Sequence, residues 1–419
     1  MSVITAILTF ISGVCQSIAA SALFSLYKSE KAGQTKAAFD KRVELFHSKI
    51  SPHLIEHVIP NLSQKIADEL HKETIGDKKI TCPFFYVINS NELAISSDLR
   101  TNINHFPINE NFIRWFKVEL KKRADNKPTF CLNGISSKNE LSLCISDYYS
   151  TLSTSDIHYF NLIKYFPIES KLWSSFAYKH SKYVGEWIAS LNKIIDSKSF
   201  SHYAASVGCA VMTVLKGIDG KYKYLLKMNS DKKNSAKERH VIPSFMFQPI
   251  ADRPYEQERE LDLQLAVVRE YGEELLEIKE MESAESVDSL LHNITKHPLL
   301  NKLKDSIEDK SVFLEATGLI VDIYRLRPEI TLLLILDEDD YSKQLNTNWE
   351  TEERTLDHID LYDDDSFYEI ITSKTSPIAP PGLAALINGR KKAIEIISAR
   401  EACESKSEES DSPSHTSPT

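Results

Sequence analysis

Hydrophobic positions change spacing several times along the chain, and each change marks a different element. The first pattern is an uncharged apolar run from Val3 to Tyr27, closed by Lys28, Glu30 and Lys31. At about 1.5 Å per helical residue this run exceeds the roughly 30 Å hydrocarbon core of a bilayer. The run predicts a single transmembrane helix over residues 1–27. A cleaved signal peptide is the competing reading, since Ala20-Ser21-Ala22 has the small-x-small shape of a cleavage site. Against it, no basic residue precedes the run, which continues through Leu23, Phe24 and Leu26. A buried core helix is the third reading, because Ser and Thr dilute the segment. Lys28, Lys31, Lys36, Lys41 and Arg42 all follow the run, so positive charge places the large C-terminal part in the cytoplasm. Within the run, Thr5, Thr9, Gly13, Ser17, Ser21 and Ser25 recur every fourth residue, with Gln16 beside them. Small residues at that spacing let helices approach closely in lipid, and Gln16 adds a hydrogen-bonding group. Thr9, Gly13, Gln16, Ser17 and Ser21 are therefore the expected packing face of a self-associating helix, which makes the chain a homo-oligomer.

From residue 28 the period becomes helical. Phe39, Val43, Phe46 and Ile50, then Leu62, Ile66 and Leu70, fall on helix faces interrupted by Pro52 and Pro60. Residues 28–75 are expected to form a stalk of short helices. Over 76–200 the stretches ITCPFFYVI, ELAIS, TFCLNGI and ELSLCI have strand composition, with one helix around NENFIRWFKVELKKR. Residues 201–400 open with two strand-like segments, ASVGCAVMTVLK and KYKYLLKM, joined through Asp219-Gly220. A helix follows at ELDLQLAVVREYGEELLEI, then the strands FLEATGLIVDIYRL and EITLLLILDE. Residues 401–419 are rich in Ser, Pro and acids and are expected to be a disordered tail. The fold class expected is mixed α/β (α+β) behind a membrane helix.

Composition narrows the function. The length of 419 residues suggests two or three domains, and 42% hydrophobic residues supply packed cores. A net charge of −10 without a basic stripe argues against a nucleic-acid polymer as partner. The six cysteines contain no CxxC pair, which excludes a zinc ribbon and fits a reducing compartment.

The densest chemistry lies on the helix after residue 260. Leu261, Leu265, Val268, Gly272 and Leu275 share one side, while Glu270, Glu273, Glu274 and Glu277 share the other. Carboxylates so placed repel one another and need a cation, basic neighbours or solvent. Arg269-Glu270-Tyr271-Gly272-Glu273-Glu274 resembles the REUxEE half of the Nudix box, and the order of strands and helix is similar to the Nudix α/β/α sandwich over roughly half the chain. The resemblance implies that Glu270, Glu273 and Glu274 hold Mg²⁺ or Mn²⁺ or act as base, with Arg269 as brace. Three departures qualify it. Phe245 or a neighbour stands where the opening glycine belongs, Leu261 stands where a glutamate belongs (between Glu260 and Asp262), and Leu276 replaces the closing glycine. Glycine lets backbone approach phosphate, so a degenerate box points to a ligand receptor more than to a pyrophosphohydrolase.

A membrane helix joined to a Nudix-like domain resembles the transmembrane–Nudix effectors (CD-NTase-associated membrane proteins) of bacterial CBASS antiphage systems. That resemblance implies an inner-membrane effector. A cyclic nucleotide second messenger binds the cytoplasmic domain, the chains oligomerise, and the clustered helices breach the bilayer, ending in death or arrest of the cell. The alternatives are a membrane-anchored Mg²⁺-dependent Nudix hydrolase of nucleoside diphosphate derivatives and a non-catalytic membrane scaffold. Lys227, Lys232, Lys233, Lys237, Arg239 and His240 are the basic groups near the acidic helix, and Tyr148 and Tyr149 are the first candidates to stack on a base, with Arg269 a further ligand contact.

Overall fold

The apolar stretch at residues 332–336 runs through the middle of the largest sheet and is buried on both faces. A computed structural model describes residues 35–89, 93–96, 106–121, 125–165, 182–229, 238–251, 254–337, 341 and 354–410. The run Val3 to Tyr27, with Thr9, Gly13, Gln16, Ser17 and Ser21, lies outside the described residues, as do Lys232, Lys233 and Lys237. No helix among the described residues is long and apolar enough to cross a membrane.

In chain order the strands are β1 (Lys72–Ile75), β2 (Lys78–Thr81), β3 (Phe84–Ile88), β4 (Ala94–Ile95), β5 (Pro128–Ile135), β6 (Glu140–Asp147) and β7 (Gly208–Lys216). They continue as β8 (Tyr222–Asn229), β9 (Glu238–Val241), β10 (Ser244–Met246), β11 (Phe313–Asp322), β12 (Arg327–Leu336) and β13 (Arg354–Asp360). The main sheet runs β13-β8-β7-β12-β11-β3, and its centre, β7 beside β12, is parallel. Parallel strands covered on both faces are continuously apolar, as the sequences of β7 and β12 are.

Alternate side chains of these two strands enter different cores. Cys209, Val211 and Leu215, with Ile330, Leu332 and Leu334, face Val267, Val268 and Tyr271 of the acidic helix. Ala210, Met212 and Val214, with Leu333 and Ile335, face Leu383, Ala384 and Leu386 of the helix Pro380–Ser410. The result is a helix–sheet–helix sandwich. Each such aliphatic side chain, fully buried, contributes about 1.5–3 kcal/mol, so the central strands carry much of the stability.

The sheet splits near its centre. β8 pairs with β7 only from Tyr222 to Tyr224, then turns to β9, with Leu226 opposite Val241. The start of β7 is taken by β10, with Ser244 opposite Ala210. That divergence opens the end of the sheet where the site described below is built.

A second sheet, β4-β6-β5, joins the first through the segment before β7: Leu132 N–H donates to Ala205 O and Val207 N–H to Phe130 O, both at 2.9 Å. β3 lies on the edge of the main sheet against β11, with Ile320 opposite Tyr86, so strand pairing crosses the division at 200/201. Within 28–75, residues 35–62 are helical, Gln64–Glu69 forms another helix, and Lys72–Ile75 is a strand. The helical run 35–62 lies against the body. Phe46 meets Tyr159 and Tyr324 edge-on at 5.6 and 5.1 Å, and Arg42 Nε donates to Ile163 O at 2.7 Å. Its apolar spacing buries Phe39, Phe46, Ile50, Leu54 and Val58 on that contact. The last helix continues to Ser410, into the part expected as a tail, whose first residues have helix-forming composition.

Candidate functional site

The acidic helix starts where the Asp262 carboxylate accepts the N–H groups of Gln264 and Leu265 at 2.9 and 3.0 Å. It runs through Leu263–Glu270 and widens to π-type bonding over Tyr271–Leu275. Ala266, Val267, Val268, Tyr271 and Leu275 are buried. An added Cβ on Gly272 would lie 2.8 Å from Leu300 Cδ1, so the neighbouring helix Pro298–Glu308 packs close at that point.

This packing turns the glutamates toward other chain segments. Glu270 is 8% exposed and accepts Arg269 Nη2 at 2.6 Å. The same guanidinium lies 3.6 Å from Glu273 and donates through Nη1 to Gln248 O at 3.4 Å. Glu274 is 3.5 Å from Lys227 Nζ. Burial raises the Glu274 pKa, against the opposing effects of Lys227, the Ser244 N–H and His240. Repulsion among Glu270, Glu273 and Glu274 is thus offset by two protein cations, while Glu277 is exposed. Glu260, beside the position where the box expects a glutamate, accepts the N–H groups of Ile250 and Ala251 and ties down the loop under Arg269. Among the described residues no three His, Cys, Asp or Glu side chains converge as a metal site. Arg269 sits on Glu270 and Glu273 as the brace that the resemblance implies, while Lys227 faces Glu274 and would have to move for a divalent cation to use all three carboxylates.

Next to this helix, at the split in the sheet, is a cavity of about 210 Å³. His47 enters it from the N-terminal helical run, Tyr148 and Tyr159 from the helix that begins after β6, and His240 and Glu238 from β9. Phe245 comes from β10, Arg325 from the turn after β11, and Arg327 and Glu329 from β12. The turn needs the left-handed backbone of Leu326, φ 54°. The Asp322 carboxylate steadies it by accepting Tyr324 N–H at 2.9 Å. Pro380, the first residue of the last helix, closes one side, so the positive end of that helix dipole faces the cavity.

The charges here are mixed and tightly arranged. Arg327 Nε lies 3.1 Å from Asp156 Oδ1 and 3.9 Å from Glu329 Oε1. The Arg325 guanidinium stacks 4.7 Å above the Tyr159 ring. His47 Nε2 is 3.1 Å from Tyr159 Oη and 4.0 Å from Glu238, which also faces His240 at 3.3 Å. Burial alone would raise the Glu238 pKa, but His240, His47 and Arg325 outweigh it and hold the carboxyl down at about 2. Burial pushes Glu329 up to about 8, reinforced by Asp322 and Asp156 against Arg327 and Arg325. Burial likewise raises Asp322 to about 6, opposed by Arg325.

The residues expected from sequence divide between these places. Glu270, Glu273, Glu274 and Arg269 share the acidic helix; Tyr148 and His240 line the cavity. Tyr149 does not line it, and its hydroxyl accepts Lys117 Nζ at 2.8 Å on the surface. Arg239 pairs with Asp357 at 3.6 Å. Sequence reasoning missed His47, Tyr159, Arg325, Arg327 and Glu329. A signal was present: Asp322 and Arg325 sit just before the most apolar strand, and Arg327 and Glu329 open it, where charge is buried only when partnered. No protein-family model matches the chain, and no curated protein sequence matches it.

Proposed function

We propose that the chain is a membrane-tethered receptor for a cyclic nucleotide, acting as an effector of the CBASS antiphage type. Residues 3–27 cross the bacterial inner membrane in this reading, and the bulk of the chain is cytoplasmic. One observation carries it: a single cavity brings Arg325, His47 and His240 together with the rings of Tyr148, Tyr159 and Phe245. The Arg325 guanidinium suits phosphate, and aromatic walls suit a base. A dry cavity of about 150 Å³ accepts benzene, so about 210 Å³ takes one base and part of its sugar, with the rest of the ligand at the mouth. Phe245, at the place where a phosphate-approaching glycine was expected, supplies part of that wall.

His47 links ligand and membrane, because it belongs to the helical run that leads back to the N-terminal segment. Ligand binding favours a homo-oligomer through differential affinity for that state. Thr9, Gly13, Gln16, Ser17 and Ser21 then pack helix on helix in the bilayer, at about 1 kcal/mol or less per contact, weak enough to stay open before the signal. The rival reading is Mg²⁺- or Mn²⁺-dependent hydrolysis on Glu270, Glu273 and Glu274; the pairing of Glu274 with Lys227 weighs against it.

The test is dye leakage from cells expressing the full chain, with and without supplied cyclic nucleotides, beside direct binding to the detergent-purified protein. Nucleotide-dependent leakage, lost in Arg325→Ala and in Gly13→Leu, is expected. Product release with Mg²⁺ that disappears in Glu273→Gln would instead select the hydrolase. Recovery of intact native protein from the soluble fraction without detergent would overturn the membrane tether.

A further inference from the structure

Several carboxylates of this fold hold backbone by accepting N–H groups: Asp262 caps the acidic helix, Glu260 takes two N–H groups and Asp322 takes one. Glu238, which lines the cavity, accepts no backbone N–H among the described residues. Its two oxygens face side chains instead. Oε1 lies 4.0 Å from His47 Nε2 and Oε2 lies 3.3 Å from His240 Nε2, and the Arg325 charge acts on the same carboxylate. These three groups come from three segments: the N-terminal helical run, β9 and the turn after β11. Glu238 is half-buried and is the first residue of β9, with Asn229 opposite it at the end of β8. Turning its side chain away breaks contacts to side chains and leaves the strand ladder whole. The gap to His47 is too long for a hydrogen bond, so the carboxylate fills its place loosely.

We propose that Glu238 is a built-in anion occupying the phosphate subsite of the cavity, and that the phosphate of the ligand takes its place among Arg325, His47 and His240. This deepens the nucleotide-receptor reading above and rests on it. The subsite has the parts an anion needs, a guanidinium and two imidazoles whose ring N–H groups can donate. Its present occupant is charged: burial would raise the Glu238 pKa, but His240, His47 and Arg325 outweigh it. The other carboxyls lining the cavity are placed differently. Asp322 holds the Tyr324 N–H, and Glu329 makes no hydrogen bond among the described residues, its nearest cation, Arg327 Nε, standing at 3.9 Å. Arg327 itself is taken by Asp156 at 3.1 Å. A phosphate arriving at Arg325 therefore meets the Glu238 charge, and two anions do not share one slot. A ligand must gain enough on the rings of Tyr148, Tyr159 and Phe245 to displace the carboxylate, so a bare phosphate ion is kept out. Because His47 belongs to the N-terminal helical run, the exchange takes place at the contact between that run and the body.

Equilibrium binding of cyclic di-AMP, cyclic di-GMP and inorganic pyrophosphate to the detergent-purified full chain tests this in wild type, Glu238→Gln, Glu238→Asp and Arg325→Ala. Glu238→Gln keeps the shape and removes the charge. It is expected to bind the cyclic dinucleotide that the wild type binds about tenfold or more tightly, the scale of one like charge removed from beside a phosphate, and to gain pyrophosphate binding. Glu238→Asp keeps the charge and stays near wild type, and Arg325→Ala loses binding. Equal or weaker binding of the dinucleotide to Glu238→Gln overturns the proposal. A crystal structure of the wild-type chain with its cyclic dinucleotide needs no variant. Phosphate beside His47 and His240, with Glu238 turned away, supports the exchange; phosphate elsewhere, with Glu238 in place, refutes it. If no cyclic dinucleotide binds but Glu238→Gln takes pyrophosphate and wild type does not, the displaceable anion stands and the nucleotide reading falls. If none of the probes binds any of the proteins, both fall together.

Discussion

Removing one partner of the Arg327–Asp156 pair is the sharpest test of how the cavity is held. Both side chains are at least nine-tenths buried, at 9% and 2% exposure, with Nε and Oδ1 3.1 Å apart. At an effective dielectric constant of about 20, unit charges at that distance attract by about 5 kcal/mol before desolvation. Desolvation cancels much of this in the intact pair, but Arg327→Met leaves the buried Asp156 carboxylate with Arg325 as its remaining cation, at a cost of about 3 kcal/mol, the low end for a broken buried pair. The two atoms meet as charges without hydrogen-bond alignment, so little directional energy is added. Combining Arg327→Met with Asp156→Asn should restore part of the loss, since neither charge then remains stranded. Urea unfolding of the four proteins of the cycle, followed by circular dichroism, gives the coupling directly. A coupling of at least about 2 kcal/mol is expected. The exposed Arg259–Asp288 pair, closer at 2.8 Å, serves as the control and should show no measurable coupling. If the buried pair couples no more strongly than the exposed one, burial does not set the energetics of this cavity and the argument fails.

Glu260→Ala strips the Ile250 and Ala251 N–H groups of their acceptors and should cost about 2 kcal/mol in urea unfolding, and Glu260→Gln should keep a large part of that loss, because its single amide oxygen can accept only one of the two. Asp322 and Glu329 have folded pKa values of about 6 and about 8, above their unfolded values. Their contribution is therefore complete in acid and is lost as pH rises through those values, and an unfolding midpoint that falls between about pH 4 and about pH 8, flattened in Asp322→Asn/Glu329→Gln, checks it. Glu238, held at about 2, acts in the opposite sense and is lost only as pH falls below about 4.5. Ellman's reagent on a Cys15→Ser background should label Cys403 alone in the native chain, because Cys82, Cys131, Cys144 and Cys209 are buried free thiols. Gly389→Ala places a Cβ 2.7 Å from Met212 Sδ and 3.0 Å from Met212 Cβ, and the melting temperature should drop by the equivalent of about 1–3 kcal/mol.

Elements with a strong period were legible in the sequence. The alternating and continuously apolar runs became β5, β6, β7, β8, β11 and β12, and the helix after residue 260 formed with Asp262 as its cap. What the sequence hid was contact between distant segments. The helical spacing of Phe39, Phe46 and Ile50 was visible, but nothing local told that this face rests on Tyr159 and Tyr324. ITCPFFYVI read as one strand; Pro83, which has no N–H to donate, separates β2 from β3, and β3 goes to a different sheet from β2. The acidic strip was read as one face of an α-helix, whereas the helix ends at Leu275, Glu277 lies past it with φ 55°, and Arg269 and Lys227 pair with the other three carboxylates.

Those surroundings shift where function should be sought. The strip's carboxylates carry their own protein cations, whereas the cavity beside it keeps a carboxyl without a hydrogen bond and a stacked guanidinium. One wall of that cavity, His47, belongs to the helical run nearest the N-terminal segment, so occupancy of the cavity and docking of that run are linked equilibria. A ligand that contacts His47 only in the docked state stabilises docking by about 2.7 kcal/mol at a hundredfold excess over its Kd. A ligand that needs His47 displaced releases the run by the same reasoning. Hydrogen exchange of residues 35–62 with and without nucleotide separates the two: protection means a clamp, and exposure means a latch. Unchanged exchange with nucleotide bound would remove His47 from the link and leave the N-terminal segment without a signal from this cavity.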